Sequence, residues 1–99
     1  MPMQKSTIST TTTFEWSEEK NQWLAENRLI TFEEIVAAIK SGRLLYHGPH
    51  PNQQSYPHQE LAVVEINGYA YSVPFVWKSY TVAFLKTIIP SRKMTRKYL

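Results

Sequence analysis

At 99 residues the chain has room for one domain, and 42% apolar with 13% aromatic and 19% charged residues are the proportions of a globular protein. No apolar run approaches the ~20 residues of a membrane span, and the absence of cysteine excludes disulfides and thiolate metal sites. The net charge of +3 is uneven: residues 1–49 carry five Lys and Arg against six Glu, whereas residues 50–99 carry six against Glu60 and Glu65 alone. Such a C-terminal half suits a polyanion or an acidic protein partner.

In chain order, residues 1–12 read as a flexible polar segment with a Ser/Thr cluster, and residues 13–99 as a single domain. The start of the chain has no apolar core of a signal peptide, and the lack of cysteine fits a reducing compartment, so a cytoplasmic location is expected. Phe14-Glu15-Trp16 alternates like a short strand. Ser17 with Glu18 and Glu19 then opens a helix to about Asn27, where Trp16 and Trp23 are expected as core anchors. The stretch ITFEEI is a stronger start, with Thr31 as N-cap, Glu34 as its capping-box partner and Ile30 facing Ile35 as a hydrophobic staple. Phe32, Ile35, Val36 and Ile39 recur at helical spacing until Gly42 stops the helix, and this face is expected to cover a sheet.

Leu44-Leu45-Tyr46 suggests a strand, followed by the proline-rich loop HGPHPNQQSYPH. Asn67-Gly68 between two β-rich runs specifies a two-residue hairpin, and Pro74 marks its strand as an edge or a bulge. Val82 to Ile89 is the expected last strand, running into a block of cations: Arg92, Lys93, Arg96 and Lys97. The fold class is therefore α+β: a short N-terminal strand, then two helices on one face of an antiparallel β-meander.

With that order in hand, FEWSEEKN, ITFEE and the closing IIPSRKMTRK resemble the BrnT family of type II toxins. Phe14, Trp16, Lys20, Ile30, Phe32, Glu33, Glu34, Ile89, Arg92 and Thr95 fall on the family's motif positions, over most of the chain. Ser17 stands where the family has Asp, Arg28-Leu29 replaces its His-Gly pair, and Tyr98 stands at its closing acid. The resemblance implies a RelE-like fold and a ribonuclease acting on cellular RNA to arrest growth. It also implies a cognate ribbon-helix-helix, BrnA-like antitoxin, through which alone the toxin meets operator DNA. The departures favour an alternative, a catalytically inactive RelE-like module that binds a DNA-binding partner.

Metal-free RNA cleavage needs a base for the 2′-hydroxyl, cations for the phosphorane charge and an acid for the 5′-oxygen. Arg92, at the end of the last strand, is the first candidate, because a guanidinium grips a phosphate with two parallel hydrogen bonds. Lys86, which strand alternation sets beside Phe84 and Ile88, and His47, which ends a strand, complete the candidate catalytic set. Lys93, Arg96 and Lys97 are candidate RNA holders, with Tyr71 as a stacking side chain whose simpler role is packing. His47, His50 and His58 have no paired carboxylates at ligand spacing, so neither a metal nor another cofactor is expected.

Overall fold

The hydroxyl of Ser17 accepts the Lys20 N–H at 3.2 Å and opens helix α1 (Glu18–Asn27). Thr31 accepts the Glu34 N–H at 3.3 Å while the Glu34 carboxylate accepts the Thr31 N–H, and this capping box opens α2 (Phe32–Lys40). Asn21 locks the corner between them: its Oδ1 accepts the Phe32 N–H and its Nδ2 donates to Glu33 Oε1, both at 2.7 Å. These contacts come from a computed structural model that describes residues 7–99. The flexibility expected for residues 1–12 falls partly on residues 1–6, outside the described ones; Ser9 and Thr12 close a turn, and Ile8 packs on the core.

Six strands form one mixed sheet: β1 (Thr13–Glu15), β2 (Leu44–Pro49), β3 (Glu60–Ile66), β4 (Tyr69–Trp77), β5 (Val82–Leu85) and β6 (Ile89–Pro90). Their order is β1-β5-β4-β3-β2, with β6 also beside β4. The expected hairpin joins β3 to β4, with Asn67 at φ 53 and Gly68 at φ 79, the positive pair that a type I′ turn requires. The sheet is not a purely antiparallel meander. The first strand adds to the free edge of β5 and runs parallel to it, Phe14 opposite Ala83, because α1 and α2 carry the chain across the sheet before β2 begins.

The last strand is also broken where the sequence suggested one run. Pro74 lies on an inner strand, between β3 and β5, rather than on an edge. Its carbonyl accepts the Lys86 N–H at 2.8 Å, but proline has no N–H to return, so the ladder stops at Leu85. Pairing resumes where Ser72 meets Ile89. In the gap Ile88 turns inward and is fully buried, so it does not share a face with Lys86.

Alternation then assigns two faces. Ala62, Val64, Val73, Phe75, Ala83 and Leu85 face Leu24, Phe32, Ile35 and Ala38 in the main core. Within α2, Val36 and Ile39 are only half-buried, since the nine-residue helix centres its stripe on Phe32, Ile35 and Ala38. Trp23 is no core anchor: it is 42% exposed, and Leu24 takes the inward position. Trp16 does reach the core and stacks on Phe32 at 5.5 Å.

The opposite face carries a feature absent from the two-helix expectation. A third helix, α3 (Arg92–Tyr98), packs Met94 and Tyr98 on Leu61, Val63 and Ala70. Among the described residues no helix is long and apolar enough to cross a membrane.

Candidate nucleic-acid interface

The terminal cations are the outer side of α3. Ser91 caps it by accepting the Met94 N–H at 3.1 Å, and Met94, Thr95 and Tyr98 turn to the sheet. Helical spacing then leaves Arg92, Lys93, Arg96 and Lys97 outward, all exposed. Thr95 fixes the helix to the sheet: its hydroxyl accepts the Ala70 N–H and donates to the Ser91 carbonyl, both at 2.8 Å. Tyr98 stacks on Tyr46 with ring centroids 6.2 Å apart. No acid sits in the first turn, so Arg92 and Lys93 oppose the helix dipole, and packing rather than local electrostatics holds α3 in place.

Lys86 joins this face. Phe84 alternates with the buried Ala83 and Leu85, so it points to the α3 side, and the Lys86 ammonium lies 5.4 Å from its ring centroid. Lys78 approaches the same ring at 5.9 Å. Ladder register also places two acids on this side, Glu15 opposite Phe84 and Glu65 opposite Ala70. Both are taken: Glu15 pairs with Lys78 at 2.6 Å and Glu65 with Arg43 at 2.7 Å. The Gly68 N–H, and then Arg43, hold the Glu65 carboxyl below its usual range. Among the described residues Lys86, Arg92, Lys93, Arg96 and Lys97 therefore meet no carboxylate.

Two sequence-predicted residues lie elsewhere. His47 pairs with Ala62, on the α1–α2 side of the sheet, across from Arg92 and Lys86. A bulge between Leu44 and Tyr46 is the cause: Leu45 and Tyr46 both lean to the α3 side, and every later residue of β2 is flipped. Tyr71 alternates with Val73 and Phe75 and packs against the main core, so it cannot stack a base beside α3. His50 and His58 remain in the β2–β3 loop, where His50 Nδ1 accepts the Asn52 N–H at 3.0 Å and its ring contacts Tyr56 at 4.6 Å. Among the described residues no three His, Asp or Glu side chains gather to hold a metal ion.

Sequence reading missed α3 as a helix and Lys78 as a member of its face, whereas strand alternation did set Phe84 beside Lys86. The signals were Ser91 as a cap and the i, i+4 pair Met94–Tyr98, hidden by the missing first-turn acid and the shortness of the helix. Set against protein-family models, curated proteins and solved structures, the chain matches none.

Proposed function

We propose that this chain is the toxin of a toxin–antitoxin pair, a cytoplasmic RelE-like endoribonuclease that holds cellular RNA on the α3 side of its sheet. The observation that carries the reading is a set of five cations on one side of the sheet, Lys86 after β5 and Arg92, Lys93, Arg96 and Lys97 on α3, that meet no carboxylate among the described residues. Unneutralised charge of one sign on a single face is unfavourable for the isolated fold and suits an extended polyanion. On this reading Arg92 grips the scissile phosphate through its two-pronged guanidinium, and Lys86 stabilises the charge that develops as the 2′-oxygen attacks phosphorus and the 5′-oxygen leaves. Lys93, Arg96 and Lys97 hold flanking phosphates, and an acidic surface of a ribbon-helix-helix antitoxin silences the toxin by covering them.

One observation favours a second reading. His47 stands on the far face, so the imidazole expected to take the 2′-hydroxyl proton is not on the side of the cations. A catalytically silent module of the same fold, holding a DNA-binding partner through the α3 face, fits that geometry.

Induced expression in a bacterial host, with RNA cleavage by the purified protein, separates the two. The toxin reading expects growth arrest that Arg92→Ala and Arg92→Lys both abolish at unchanged circular dichroism, since lysine keeps the charge but loses the fork. Removal of Lys93, Arg96 or Lys97 only weakens binding, each lowering the salt slope by about 0.7 on a single strand. Arrest as strong in Arg92→Ala as in the parent rules out catalysis by this face.

A further inference from the structure

We propose that Phe84 is a base-stacking platform, so that the ligand of the α3 face is single-stranded RNA with an unpaired base laid on the Phe84 ring. The inference rests on the reading of this face as an RNA surface and narrows it to one substrate class.

Phe84 has no role in either core. Its chain neighbours Ala83 and Leu85 are buried under α1 and α2, whereas Phe84 sits on the other side of the sheet, opposite Val76. There α3 covers Leu61, Val63 and Ala70, and its packing does not include Phe84, Val76 or Val82. All three are only partly buried, an apolar patch on a sheet that α3 crosses only at the other end. The cations around it differ in kind. Lys78 is neutralised by Glu15 at 2.6 Å, while the Lys86 ammonium, over the ring at 5.4 Å, meets no carboxylate among the described residues, so its flexible stem can yield the ring to a base and carry the charge to a phosphate.

An aromatic ring set in a sheet beside an unneutralised cation offers one surface to a base and another to the backbone that carries it. Charge complementarity selects the occupant, because five cations that meet no carboxylate among the described residues suit a chain with one negative charge per residue better than a mixed-charge peptide. Strandedness follows from stacking. In a duplex each base face is covered by its neighbours and only edges reach the grooves, so the ring can engage only a base that has left the stack. Stacking tolerates any base, so this position selects unpaired RNA and not a sequence.

Three ligands made with 2′-O-methyl riboses, which block attack by the 2′-oxygen, test this on the purified full chain: an unstructured strand, a duplex and an abasic strand. The single strand is expected to bind most tightly, and the abasic strand to lose roughly five- to hundred-fold although it keeps every phosphate. Phe84→Leu, which keeps apolar volume, is expected to lose a similar factor with the salt slope unchanged, and Phe84→Tyr to retain binding. Equal affinity for duplex and single strand, or for abasic and intact strand, overturns the platform. So does a folded Phe84→Leu that binds like the parent. If none of the three ligands binds at low salt, the RNA reading of the face fails as well. Binding that ignores Phe84 removes only the platform.

Discussion

The guanidinium of Arg28 donates from Nη1 to the carbonyl of Ile88, a residue 60 positions further along the chain. The same group lies 5.1 Å from the exposed Trp23 ring. Ile88 belongs to the unpaired gap between β5 and β6, so this bond ties the end of α1 to the segment that connects Lys86 with Arg92. A charged hydrogen bond to a carbonyl is worth about 1.5–3 kcal/mol, discounted here because the arginine is largely exposed. Arg28→Ala is therefore expected to lower stability by about 1 kcal/mol in denaturant unfolding. If the α3 face holds RNA as proposed, the same change should weaken that binding although Arg28 lies outside the face, and an unchanged affinity would show that the strap does not position the cations.

Thr95 offers a way to disturb α3 without touching its charge. Thr95→Val keeps shape but leaves the Ala70 N–H without its acceptor, which costs about 1–3 kcal/mol for a group buried against the sheet. Amide exchange should rise across residues 91–98, and on the proposed RNA reading affinity for RNA should fall while the net charge stays the same. Protection equal to the parent's would mean that Met94 and Tyr98 alone dock the helix.

Acid should loosen the α1–α2 corner. The Asn21 amide, and then the Glu33 backbone N–H, hold the Glu33 carboxyl below its ordinary value of 4.5. A folded-state value depressed in this way adds stability that is fully present above pH 4.5 and is lost as pH falls through the folded value. Glu33→Gln cannot titrate, so the parent should lose stability relative to this variant on acidification below 4.5. Parallel curves from urea melts over that range would remove Glu33 from the account.

The core stripe of α2 separates two isoleucines that sequence spacing treats alike. Ile35 is fully buried and Ile39 half-buried, next to Ile8 and Leu44. Ile35→Ala should cost about 2–5 kcal/mol, and Ile39→Ala a fraction of that, because the flank can close over the lost methylenes. Equal losses in the two variants would place the stripe one residue further round the helix.

Capping and hairpin chemistry were legible from sequence because both are local. Ser17 and Thr31 find their acceptor geometry within three residues, and Asn67-Gly68 supplies the two positive φ values that its turn needs whatever surrounds it. The α+β character and the cationic C-terminal half follow from the same short-range reading. Sidedness was different. Whether His47 and Arg92 share a face depends on a bulge in β2, and where the last strand breaks depends on which neighbour meets the missing N–H of Pro74. Both are relations between strands far apart in sequence, and period-2 alternation makes a one-residue slip reverse every later side chain. The helical form of the terminal cations was likewise decided by tertiary contact. Seven residues with cations at the positive end of the dipole do not hold a helix alone, and α3 exists because Leu61, Val63 and Ala70 cover Met94 and Tyr98.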